Sequence, residues 1–139
     1  MVGSETNLNA MLDSLSVSVR PDNYVVVTLT SDTQVPALTE GVAAVIDEDE
    51  GATIIATVER AEKEGWPQDF VAAWLTLDVH SALEAVGLTA AFSRALGRAG
   101  IPCNVIAGFY HDHILVPHDK SDAAVEVIEA LSGRTSSGG

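Results

Sequence analysis

The sequence predicts an α+β fold in which an antiparallel sheet carries its helices on one face. Three observations predict it. Residues 70–133 run strand, helix, strand, strand, helix, an order that folds into a sheet with both helices packed on the same side. Residues 16–64 are rich in short apolar runs of β-branched residues, which suit strands better than helices. Hydrophobic residues make up 47% of the 139, enough for a sizeable core and too many for a disordered chain.

In the first half, Leu8, Met11, Leu12 and Leu15 follow the i, i+3, i+4, i+7 spacing of an amphipathic helix, with Asn7 as its cap. Residues 16–19 alternate polar and apolar, Pro21-Asp22-Asn23 supplies a turn, and residues 24–29 form a strand. Residues 31–40 read as a loop in place of a first crossover helix. Strands at 42–46 and 52–58 flank Asp47-Glu48-Asp49-Glu50-Gly51, a solvated turn. It lacks the Asp-x-Asp-x-Asp-Gly spacing of a calcium loop. Glu59 and Lys63 stand four apart and support one or two helical turns. Gly65-Trp66-Pro67-Gln68 ends them.

The second half has a cleaner rhythm. Residues 70–79 are a strand and residues 80–85 a connection. Leu88, Ala91, Phe92, Ala95, Leu96 and Ala99 mark a helix that Gly100 terminates. Residues 103–110 form a strand, His111-Asp112 a tight turn, and residues 114–116 the return strand. Asp119 or Ser121 caps a last helix that buries Ala124, Val127, Ile128 and Leu131 before Gly133 stops it. The strands around Leu77 and Val105 are expected to be neighbours. The domain division is residues 1–68, a degenerate β-rich lobe, then residues 69–133, then a disordered tail at 134–139. The halves show no clear sequence repeat.

Charge narrows the function. Lys plus Arg is 7 and Asp plus Glu is 20, a net −13 that repels phosphate backbones and anionic lipid. Nucleic acid and membrane are therefore not expected partners. Residues 1–69 hold 13 acids and 3 bases, residues 70–139 only 7 acids and 4 bases, so an anion-tolerant site belongs in the second half. The lone Cys103 excludes an internal disulfide and a four-cysteine zinc site, and reads as a small buried hydrophobe. No apolar run spans a bilayer and no secretory signal opens the chain, so a soluble cytoplasmic protein is expected. Neither G-x-G-x-x-G nor a P-loop occurs, and no cofactor is expected.

Several segments resemble a known family. They are Trp74-Leu75-Thr76-Leu77-Asp78-Val79-His80-Ser81, Leu83-Glu84-Ala85-Val86-Gly87-Leu88-Thr89-Ala90, Cys103-Asn104-Val105, Tyr110-His111-Asp112-His113 and Val116-Pro117. Over residues 70–131 they are similar to a family of small bacterial proteins of the ACT superfamily, and residues 1–69 resemble its N-terminal ACT-like half more loosely. The resemblance implies a ferredoxin-like architecture of two ACT-like lobes and a regulatory module that binds an amino acid and pairs with a second copy. The family's Asp-x-Pro-Gly stands here as Glu84-Ala85-Val86-Gly87, without the proline.

That alignment nominates a ligand-binding set of Ser81, Glu84, Val86, Gly87, Leu88 and Asn104. Gly87 lets a carboxylate approach backbone amides that are unpaired at a helix start, and Glu84 balances an ammonium group. His80, Tyr110 and His111 are candidate interface or ligand contacts. The plain alternative is a loop whose polar groups only cap the helix. An enzyme using His80, His111, Asp112 and His113 is the rival function, and a ligand-free homodimerising module the third. No histidine spacing of a zinc motif and no activated nucleophile is present, so neither a metal nor a catalytic residue is assigned.

Overall fold

A computed structural model of the chain describes residues 14–30, 34–78 and 86–132. The predicted first helix, the connection at 80–85 and the tail lie wholly or almost wholly outside these residues. Six strands form one sheet in the order β2-β3-β1-β4-β6-β5. They are β1 (Ser16–Leu29), β2 (Val42–Glu48), β3 (Gly51–Thr57), β4 (Val71–Asp78), β5 (Asn104–Ala107) and β6 (Asp112–Pro117). The helices among the described residues are α1 (Val58–Glu64), α2 (Val86–Arg98) and α3 (Ser121–Ala130). Their order and the sheet make the fold α+β, as expected. Contacts divide the chain into two compact units, Pro21–Ala73 and Met1–Arg20 with Trp74–Gly139.

In the unit Pro21–Ala73, β3 is the middle strand, antiparallel to β1 through Val26 opposite Ile55 and to β2 through Val45 opposite Ile54. Its central position matches its composition: Ile54, Ile55 and Ala56 are all buried. Val25, Val27, Leu29, Val42, Ile54 and Ala61 form the core. Asp49 and Glu50 turn the β2–β3 hairpin in solvent, as their charges predict. Gly51 follows with φ 151°, and a Cβ there would lie 2.5 Å from the Leu29 carbonyl oxygen, so the close approach of β1 requires glycine. A loop replaces the first crossover helix across residues 34–41. Thr57 caps α1 by accepting from the Arg60 amide at 3.1 Å. Arg60 in turn donates to the carbonyls of Thr39 and Glu40 at 3.2 and 3.0 Å and fastens the loop to the helix.

In the other unit, α2 buries Leu88, Phe92 and Leu96, spaced four apart on one face, and α3 buries Ala124 and Ile128. The two helices pack against each other. The Ile101 amide returns to the Leu96 carbonyl at 2.9 Å and the Gly100 amide to Gly97 at 3.0 Å. Gly100 at φ 73° supplies the left-handed residue that this helix ending needs.

Four local expectations are corrected. Pro21-Asp22-Asn23 is no turn but part of the 14-residue β1. Proline's fixed φ lies within the extended range, so it costs the ladder one donor without turning the chain. The strand around Val105 is not beside that around Leu77, because β6 lies between them. Ile114, Leu115 and Val116 of β6 are buried, whereas β5 is mostly exposed. The longer strand with the buried apolar run therefore takes the inner position and the shorter, exposed one the edge. The β5 strand also ends at Ala107, with the turn at Phe109 and Tyr110 instead of His111-Asp112; Asp112 already pairs with Ala107. Finally, neither Asp119 nor Ser121 caps α3. A 3-10 turn, His118–Lys120, leads into it, and Lys120 holds the cap position without a side-chain bond.

Candidate functional site

The predicted ligand loop is only partly visible. His80, Ser81 and Glu84 lie outside the described residues, as does the side chain of Val86. Gly87 is the second residue of α2 and is half-buried. Leu88 is 1% exposed, so its side chain belongs to the core and only its backbone is available to a ligand. The amides of residues 86–89 form the first turn and have no partner within the helix. No acidic side chain stands in that turn. An anion there would meet partial positive charge from the helix.

Asn104 opens β5, exposed, directly across from Leu115 of β6. Cross-strand partners share a sheet face, and Ile106 opposite His113 continues that row. Asn104 and His113 are therefore on one face. The same face carries a polar cluster the sequence had hidden. The Trp74 indole N–H donates to His113 Nδ1 at 3.2 Å, and the Thr76 hydroxyl meets the same nitrogen at 3.0 Å. The Trp74 and His113 rings are 5.3 Å apart. The Arg20 guanidinium lies 3.9 Å from the centre of the Trp74 ring, a cation–π contact.

An indole N–H can only donate, so His113 Nδ1 accepts and the proton of the neutral ring is on Nε2. Burial, then the charges of Arg20 and His111, push the His113 pKa below its usual value, against a smaller upward pull from Asp112. His111 lies 3.8 Å from Asp78 and pairs with it when protonated. Its ring is 6.4 Å from that of His113. Tyr110 is 83% exposed at the hairpin tip, edge-on to Phe109.

Cys103 is half-exposed just before β5, not buried as expected; partial burial raises its thiol pKa and weakens it as a nucleophile. Among the described residues no group of three or more His, Cys, Asp or Glu is placed to hold a metal. Trp74 is buried at 3% exposure, and its hydrogen bond and the roles of Arg20, Thr76 and Asp78 were missed in the sequence. The signal was present. Trp74, Thr76 and Asp78 alternate along β4, and His111 and His113 keep the same period of two once the turn is moved back to Phe109 and Tyr110.

ACT-domain matches cover residues 3–73 and, separately, residues 70–130. The chain belongs to the ACT-domain family. It is 36% identical to a Vibrio cholerae protein described as of unknown function and a possible transport protein. That likeness covers 94% of this chain and 99% of the other, with a TM-score of 0.80. Clostridium acetobutylicum aspartate kinase shares the fold at 10% identity and a TM-score of 0.58, over 84% of this chain and 34% of the kinase. A structure of aspartokinase alpha and beta subunits does so at 12% identity and 0.56, over 85% and 96%. No curated protein matches the sequence. No helix among the described residues of this ACT protein is long and apolar enough to cross a membrane.

Proposed function

We propose that this ACT-domain protein is a non-enzymatic regulatory module that binds a small amino acid, or a related carboxylate, at the start of α2. The observation that supports the reading is the first turn of that helix: amides with no partner within the helix, a half-buried Gly87, and no acidic residue among positions 86–89. In this reading Glu84 meets the ammonium group and Ser81 a second ligand oxygen, the backbones of Val86, Gly87 and Leu88 hold the carboxylate, and Asn104, on a strand that β6 separates from β4, reaches the ligand's polar end from a second copy. His80, Tyr110 and His111 contribute from a subunit boundary. The Clostridium kinase that shares the fold is described as an allosteric enzyme, which agrees with a regulatory role for the fold.

The working division of the chain is an N-terminal lobe at 1–68 and a C-terminal ACT domain at 69–133. The module works as a cytoplasmic homodimer, because a sheet with an exposed edge strand such as β5 gains from being covered. Light scattering that gives a mass near 14.5 kDa at micromolar concentration removes the dimer. Thermal shift against the twenty amino acids and small dicarboxylates tests the ligand. A ligand at a hundred times its Kd raises stability by about 2.7 kcal/mol. No shift with any of them leaves a ligand-free dimerising module.

A further inference from the structure

The cluster around His113 has a property independent of any ligand. His113 is the acceptor through which two side chains of β4 hold β6 on this sheet face, Trp74 at 3.2 Å and Thr76 at 3.0 Å, both on Nδ1. The other side of the ring lies against the start of the hairpin turn. A Cβ on Gly108 would come within 3.1 Å of His113 Nε2 and 2.8 Å of the His111 carbonyl oxygen, so the chain closes onto the imidazole because residue 108 has no side chain. Beyond Ala107 opposite Asp112, the Gly108 amide bonds the His111 carbonyl at 2.9 Å. Above that bond stand Phe109 and Tyr110, 76% and 83% exposed.

We propose that His113 is an acid-sensitive pin for the β5–β6 hairpin: protonation of Nδ1 removes the acceptor that Trp74 and Thr76 share and loosens the turn that displays Phe109 and Tyr110. The chemistry is one-sided. Neutral Nδ1 accepts, whereas protonated Nδ1 can only donate. The Thr76 hydroxyl can rotate to accept from it, but the Trp74 N–H cannot reverse, so that bond must break and the ring must turn. Its turning disturbs Gly108, which is seated against Nε2.

The charges around the ring set the direction. Arg20, reaching over Trp74 from β1, opposes a second positive charge, as does His111 in the turn when it is protonated. Asp112 on β6 favours it, and Asp78 on β4 faces His111. The described β5, Asn-Val-Ile-Ala, presents no titratable group. At neutral pH the pin is therefore engaged, and it is released only on acidification below the ordinary histidine range.

The test uses the full chain, with nuclear magnetic resonance of the Trp74 indole N–H and the Gly108 amide between pH 7.5 and 5. Trp66→Phe assigns the indole signals. The expected result is a titrating Trp74 resonance, with Gly108 protection from hydrogen exchange falling roughly fivefold in parallel, the worth of one ordinary hydrogen bond. His113→Asn keeps an acceptor but cannot titrate, and both signals should then stay flat. A Trp74 signal that does not move, or that moves equally in His113→Asn, overturns the proposal. So does a titrating Trp74 with unchanged Gly108 protection. If the variant does not fold, the imidazole nitrogen shifts of the wild type decide: a proton on Nδ1 of His113 at pH 7.5 refutes the pin, and one on Nε2 that gains a second proton as Gly108 loosens supports it.

Discussion

Gly87→Val separates binding from folding better than any other single change in the proposed site. Gly87 is the second residue of α2 and has helical backbone, so a branched residue is conformationally allowed there. In a helix, glycine is about 0.8–1.0 kcal/mol worse than alanine and valine roughly half that, so the exchange by itself favours the helix by a few tenths of a kcal/mol. The added side chain stands where a carboxylate must approach the first-turn amides. A hydrogen bond to a charged group is worth about 1.5–3 kcal/mol, so loss of one such contact weakens binding roughly ten- to a hundredfold. Urea unfolding measures the first quantity and calorimetric titration with the amino acid found by thermal shift measures the second. Gly87→Ala, with a single methyl group, should fall between. Equal affinity in wild type and folded Gly87→Val would place the site elsewhere and refute the reasoning.

Phe92 is fully buried in α2, and Phe92→Ala should cost about 3–5 kcal/mol in urea unfolding; a cost under 1 kcal/mol would mean α2 does not seal the core. Replacing Asp47, Glu48, Asp49 and Glu50 by Asn or Gln should leave ligand affinity almost unchanged, since all four are exposed around the β2–β3 turn; a large loss at moderate salt would move the site into the N-terminal lobe. Stability should fall in mild acid. The His113 pKa is lower folded than unfolded, so the unfolded chain takes up the proton first as pH drops below about 6.5, and the loss continues until the folded ring is protonated too. The urea midpoint should drop further between pH 7.5 and 5.5 in wild type than in His113→Asn, and equal drops would remove His113 as the cause.

What the sequence could and could not show follows from the range of the interactions involved. The helices of the second half were legible because their signal is local: Leu88, Phe92 and Leu96 repeat with the helix, and Gly100 permits the left-handed ending. The β2–β3 turn was legible for the same reason, through four adjacent acids that cannot be buried. Strand order was not. Only burial distinguishes β6, with Ile114, Leu115 and Val116 covered, from the exposed β5, and burial depends on partners far along the chain. The hairpin illustrates how one local error propagates. Placing the turn at His111-Asp112 instead of Phe109 and Tyr110 takes His111 and His113 out of the strand alternation. Placed correctly, the turn leaves both histidines on the face of Trp74, Thr76 and Asp78. Trp74 and His113 are 39 residues apart, and nothing in either neighbourhood announces the other. Their bond exists because β4 and β6 are sheet neighbours. The ligand reading used local information, a glycine at a helix start, and is tied to the sequence alone at Ser81 and Glu84. The polar cluster is the opposite case, built from β1, β4 and β6 together and visible only once the sheet is assembled.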